Sequence, residues 1–170
     1  MGIKHLKDIN RETLEGMLSD FAKNWLAHDG LWFQAVERHY GMEKAIKLDT
    51  EAWEQFTKVE ARRIMGRHNI PDNGGLEALK RALQYRLYSV LNEQEITEET
   101  DNSFIFKMVD CRVQSARKRK GMDLFPCKSV GIVEYTEFAR TIDPRIKTEC
   151  IACPPDDGER DFFCGWKFSI

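Results

Sequence analysis

The sequence predicts an α+β fold: a helical N-terminal layer packed on a small antiparallel sheet with helices inserted between its strands. Three observations lead there. Residues 1–92 carry apolar side chains at helical spacing, residues 93–170 turn to shorter runs rich in aromatic residues, and clear turn chemistry separates the runs. No internal repeat or domain-scale linker divides them, so 1–170 is expected to form one domain, with 1–92 its helical part and 93–170 its sheet-containing, cysteine-rich part.

Along the chain, Asn10 stands where a helix N-cap belongs. Leu14, Met17, Leu18, Phe21, Ala22, Trp25 and Leu26 follow at the spacing of one helical stripe. The stripe resumes in phase at Trp32, Ala35, Val36 and Tyr40, with Gly30 a break or a weak spot and Gly41 a natural stop. A further helix over 42–68 would turn Ala45, Leu48, Ala52, Trp53, Phe56, Val59 and Ile64 inward, with Glu60 either paired to Arg63 or on a solvated flank. Pro71-Asp72-Asn73-Gly74-Gly75 is a turn, and Leu76, Leu79, Leu83, Leu87 and Val90 predict a fourth helix.

The period then changes. Residues 103–111 read as a strand, 112–120 as a short basic helix stopped by Gly121, and 127–141 as a helix with Val130, Val133 and Phe138 inward. Two strands over 145–153 and 161–170 flank Pro154-Pro155-Asp156-Asp157-Gly158 and should form an antiparallel hairpin. A connector centred on Asp157 would set Cys150 opposite Cys164, and regular alternation would send Cys153 to the other face unless the strand bends before Pro154.

Composition narrows the function. The 170 residues are 42% hydrophobic and 32% charged, with 26 basic and 28 acidic side chains and a net charge of −2. That excludes disorder and low-complexity classes, and the balanced charge argues against nucleic acid as a partner. No window reaches the roughly 20 apolar residues of a membrane span. The opening MGIKHLKDIN lacks the apolar region of a secretory signal, and Leu6 stands where a myristoylation site would want Ser or Thr. A soluble, cytoplasmic protein with no membrane partner is the expectation.

All five cysteines, Cys111, Cys127, Cys150, Cys153 and Cys164, fall in the last third of the chain. An odd number without an export signal is a poor disulfide framework, which leaves metal ligation, reactive-thiol chemistry or plain burial. Cys111, Cys127, Cys164 and one of Cys150 or Cys153 would make a soft site for zinc, iron–sulfur or another thiolate-bound metal. A Cys-x-x-Cys lying before two prolines is not placed for thioredoxin-like redox work.

A second constellation is Asn24 to Phe33. His28 falls on the heptad series Leu14, Phe21, His28, Ala35, and Trp25 and Trp32 on the parallel series Leu18, Trp25, Trp32, His39. Imidazole among tryptophans, with Asp29 beside it and Gly30 admitting close approach, suits a ligand pocket or a general acid–base, while Asp29 as the cap of a following helix is the structural alternative. The basic run Arg112, Arg117, Lys118, Arg119, Lys120 is a solvated helix face or a local anion site, and Arg112 would raise the thiolate fraction of Cys111.

From Met108 onward the residues Met108-Val109-Asp110-Cys111, Pro126-Cys127, Glu134-Tyr135-Thr136-Glu137-Phe138-Ala139, Asp143-Pro144-Arg145-Ile146 and Cys164-Gly165-Trp166-Lys167-Phe168 resemble, in that order, the C-terminal half of L-2-amino-thiazoline-4-carboxylic acid hydrolase-like proteins. Tyr135 stands where that group usually has an acidic residue. The whole chain resembles an uncharacterised family of small cytosolic proteins of anaerobic bacteria and archaea related to that group, with Asn24 to Phe33 and Cys150 to Pro155 among its features. The resemblance implies a small-molecule site built from the cysteine region and the helical layer. One expectation is therefore a ligand- or metal-binding protein, a homodimer through an exposed sheet edge, with Trp25, Trp32 and Arg112 on the ligand. The other is a hydrolase of a small C–N bonded, thiazoline-type carboxylate, with Cys111 or Cys127 as nucleophile or as holder of a metal that activates water, His28 moving protons and Asp29 beside it in the catalytic set. Buried, inert cysteines in a structural domain are the third.

Overall fold

A computed structural model describes residues 6–170; the expectations about the first five residues lie outside them. After a short 3-10 turn at Leu6–Asp8, Asn10 accepts the Thr13 N–H at 2.8 Å and caps α1, Arg11–Tyr40. Helix α1 runs unbroken through Gly30. At Gly41 the backbone turns to φ 82°, a conformation glycine adopts without strain, and α2 follows over Met42–His68.

The inward stripe of α1 is narrower than its periodicity predicts. Only Ala22 and Leu26 are buried, while Leu14, Leu18, Phe21 and Trp32 are exposed, as are Leu48 and Val59 of α2. The cause is the partner chosen by α2. Its buried face, Ala45, Trp53, Thr57, Ala61 and Ile64, is shared with helix α6, Lys128–Ile142, and α1 lies along a flank.

The predicted fourth helix breaks in two, α3 (Gly75–Leu83) and α4 (Tyr88–Leu91). Between them Arg86 is only 2% exposed, its guanidinium drawn to Glu60 on α2 and Glu134 on α6. The break falls at the residue that bonds both buried carboxylates. The Glu60–Arg63 pairing is thereby replaced by Glu60–Arg86, with Nε to Oε2 at 3.0 Å.

Four antiparallel strands form one sheet in the order β1-β2-β4-β3: β1 Glu93–Thr100, β2 Ser103–Asp110, β3 Lys147–Ala152 and β4 Cys164–Ser169. The fold is α+β. Strand β1 was not expected, because Glu93, Glu95, Glu98 and Glu99 give it a poor strand propensity; at a sheet edge such charges are tolerated and discourage further pairing. The short helix α5, Arg112–Arg119, follows β2 directly. Phe104, Phe106, Met108, Trp166 and Phe168 pack against Tyr135, Phe138 and Ile142 of α6 in the main core. Asp143, at the end of α6, accepts the Gly75 N–H at 3.0 Å and two bonds from the Arg145 side chain, tying α6 to the start of α3.

The β3–β4 register differs from the one a connector centred on Asp157 would impose. Cys150 faces Trp166, and Cys164 faces Met108 on its other neighbour. A bulge between Cys150 and Ala152 breaks the alternation, so Cys153, which regular alternation would send to the opposite face, is buried with the core.

Candidate functional site

The sheet face, α6, α5, α2 and the C-terminal half of α1 border a partly open cavity of about 430 Å³. Four cysteines line it, each from a different place in the chain: Cys111 where β2 passes into α5, Cys127 at the start of α6, Cys153 just past β3, and Cys164 opening β4. The fifth, Cys150, lies outside the lining but within reach of Cys153.

Cys153 is the hub. Its sulfur stands 3.5 Å from that of Cys127, and it also meets Cys150 and Cys164. Bonds to these three neighbours, with burial, hold its thiol protonated, far above the ordinary range. The same contacts act oppositely on its partners. The bond with Cys153 lowers Cys127 against the penalty of burial, and Gln114 adds a donor, its Nε2 3.4 Å from the Cys127 sulfur. Position helps as well, since Cys127 caps α6 and the free N–H groups of a helix start favour an anion. Cys150 is likewise lowered, first by Cys153 and then by Lys128. Cys111 is pushed up to about 12 by burial, and Arg112, solvent-exposed on the following turn, does not offset it.

Gln114 organises this corner. Buried to 1% exposure, it donates to the Phe125 carbonyl at 2.8 Å and accepts the Phe125 N–H at 2.9 Å, clamping the segment that leads into Cys127.

The other side of the cavity is acidic. Asp29 of α1, Asp49 of α2 and Glu134 of α6 all face it. Burial raises each of them; Asp49 reaches about 7, with Asp29 and Glu134 adding their repulsion. Glu134 is anchored, its Oε1 2.7 Å from Arg86 Nη2. Burial opposes the charge of Arg86, yet Glu60 and Glu134 hold its guanidinium firmly protonated, over the Phe138 ring at 4.6 Å. Stacked aromatic pairs, Trp53 with Tyr88 and Tyr135 with Trp166, form the walls.

Of the residues singled out in the sequence, Asp29 and Arg112 line this cavity beside the thiols. His28 does not: it points to solvent, one residue round the helix from Asp29, so the heptad that placed it inward is corrected. Trp25 stacks on Phe56 at 5.5 Å on the α1–α2 flank, and Trp32 is 69% exposed; neither reaches the cavity. Among the described residues no group of three or more His, Cys, Asp or Glu side chains is placed to hold a metal ion.

Asp49, Glu134, Gln114 and Tyr88 were missed. A signal existed for two of them. Glu134 occupies an inward position between Val130 and Phe138, and Asp49 lies between Ala45 and Trp53, so a carboxylate interrupts each buried stripe at helical spacing. Gln114 and Tyr88 carried none, because only the tertiary fold turns them to the cavity.

The model for a family of unknown function, DUF6125, matches residues 7–170, nearly the whole chain. The chain belongs to the DUF6125 family. No curated protein matches this DUF6125 chain. Among its described residues no helix is long and apolar enough to cross a membrane.

Proposed function

We propose that this DUF6125 protein binds a small molecule in the cysteine-lined cavity, with Cys127 as its reactive thiol. One observation carries the reading: Cys111, Cys127, Cys153 and Cys164, from four separate segments, open on a single volume of about 430 Å³, within the range of small-ligand sites. Isolated structural cysteines need not share a space, and still less be poised so differently, with Cys153 held protonated and Cys127 drawn toward thiolate.

The test is residue-resolved alkylation. In a Cys150→Ser background, which removes the other lowered thiol, Cys127 should react with iodoacetamide at pH 7 well ahead of Cys111, Cys153 and Cys164. Equal, slow modification of all four would sink the reading. Metal analysis of the same protein addresses the alternative occupant: stoichiometric zinc or iron, lost in Cys153→Ser, would replace the organic ligand by a thiolate-bound metal.

A second reading, hydrolysis of a small C–N bonded substrate, draws support from Asp49 and from the resemblance to thiazoline-carboxylate hydrolase-like proteins. A carboxyl group titrating at about 7 in the same cavity as a thiolate is matched to proton transfer at neutral pH, the part His28 is not placed to play. In that chemistry the Cys127 sulfur bonds to the electrophilic carbon, the C–N bond breaks, the nitrogen leaves with a proton from Asp49, and water cleaves the resulting thioester, returning the thiol and a carboxylic acid. Amine release that disappears in both Cys127→Ser and Asp49→Asn would support it; release unaffected by either would exclude it.

A further inference from the structure

Resting on the reading of Cys127 as the reactive thiol of the cavity, we infer that Cys127, Cys153 and Cys150 form a peroxide-reducing relay. In it Cys127 attacks a small hydroperoxide, Cys153 captures the product as a disulfide, and Cys150 carries that disulfide out of the cavity. The geometry is a chain of three sulfurs with Cys153 at its centre. The Cys127 and Cys153 sulfurs are 3.5 Å apart, about 1.5 Å beyond the length of an S–S bond. Cys153, only 1% exposed, also meets Cys150. The two ends of the chain face different surroundings. Cys127 lines the partly open cavity, which admits a small oxidant and not a protein disulfide, whereas Cys150 is half-buried and lies outside the lining.

The backbones that carry the first pair already lie side by side. The Lys128 N–H donates to the Pro154 carbonyl at 3.0 Å, tying the residue after Cys127 to the residue after Cys153. The Lys128 ammonium bonds the Asp156 carboxylate at 2.8 Å, and that carboxylate accepts the Cys153 N–H at 3.2 Å. Joining the two sulfurs therefore asks chiefly for side-chain rotation.

The steps balance. The Cys127 thiolate attacks one peroxide oxygen, and an S–O bond forms as the O–O bond breaks. The departing hydroxide or alkoxide takes a proton from solvent and leaves as water or an alcohol. The Cys153 sulfur then attacks the sulfenic sulfur, an S–S bond replaces the S–O bond, and the Cys153 proton departs with the hydroxyl group as water. The contact between the two sulfurs keeps that proton beside the reacting centre. Cys150, lowered by its own contact with Cys153, next attacks the Cys153 sulfur, and Cys127 is released as thiolate. Two molecules of an external thiol reduce the Cys150–Cys153 disulfide and become a disulfide themselves. Each cycle passes two electrons to one peroxide.

Hydrogen peroxide at pH 7 is the probe, with disulfides mapped by peptide mass spectrometry in variants checked for unchanged melting. Oxidised Cys150→Ser should carry a Cys127–Cys153 disulfide. When Cys153→Ser is added to it, Cys127 should stop at the sulfenic acid, trapped by dimedone. The unsubstituted chain should finish as Cys150–Cys153 and, supplied with glutathione, should consume peroxide at least tenfold faster than Cys127→Ser or Cys150→Ser. Peroxide that leaves Cys127 unoxidised, or couples it to Cys111 or Cys164, overturns the relay, as does equal turnover without Cys150. In each of those cases rapid alkylation of Cys127 by iodoacetamide leaves the cavity reading standing. A Cys127 inert to both peroxide and iodoacetamide overturns both.

Discussion

The Cys127 sulfur stands 3.5 Å from that of Cys153, across the junction of the start of α6 with the end of β3. A protonated thiol donating to its neighbour is a cheap way to keep that neighbour reactive inside an apolar wall, because the donor needs no charge of its own.

That relationship predicts an asymmetric mutational response. Cys153→Ala removes the largest influence lowering Cys127 and leaves burial, which raises it. The pH midpoint of Cys127 alkylation should move upward, and the rate at pH 7 should fall roughly tenfold for each unit of the move. Cys153→Ser keeps a donor and should retain most of the reactivity. Equal rates in the alanine and parent proteins, measured by peptide mass spectrometry, would show that the contact is inert.

Arg86 is bonded to Glu60 and Glu134 in a nearly sealed environment. Arg86→Met strands two buried carboxylates and should cost roughly 3–5 kcal/mol, or about 6–20 °C in melting temperature. Glu134→Gln keeps a hydrogen-bond acceptor and should cost distinctly less. Calorimetric melts of the two variants decide the point.

Asp49 gives stability a pH signature. Its folded value of about 7 lies above the ordinary 3.8, so between these values the folded chain binds more protons than the unfolded one. Stability contributed by this group is therefore present in full below about pH 4 and is lost as pH rises through 7. The groups that bear on it are Asp29 from α1, Glu134 from α6 and the Trp53 side chain on its own helix. Asp49→Asn should accordingly stabilise the protein by about 1–3 kcal/mol at pH 8 and by little at pH 4. Urea unfolding at the two pH values measures the difference, and an equal effect at both would contradict the assignment.

At Gly131 the backbone of α6 lies close against the Trp166 ring of the sheet. A Cβ there would lie 2.6 Å from the Trp166 ring, and Gly131 also lines the cavity. Gly131→Ala should destabilise by roughly 1–3 kcal/mol through overpacking and displace the indole. A change in Trp166 fluorescence together with a lowered urea midpoint would register both effects.

Much of the fold was legible because it is written in local spacing. Helix α2 runs over the 42–68 that its apolar period predicts, Asn10 caps α1, and β2, α5 and α6 lie within a residue of their expected limits. Cysteines at the ends of elements likewise pointed to the part of the chain that lines the cavity. What local spacing could not convey is which stripe meets which partner. His28 and Asp29 are adjacent, and only the docking of α1 along the flank of α2 decides that Asp29 faces the cavity while His28 faces water. Arg86, at the break, bonds two carboxylates distant in sequence, and Cys153 turns inward after a bulge that strand periodicity does not announce. Local spacing set most of the helices and strands, β1 and the break at Arg86 excepted, since backbone geometry and side-chain period act over a few residues. The site was decided by tertiary structure alone, since burial, charge repulsion and sulfur–sulfur contact arise only when distant segments are brought together.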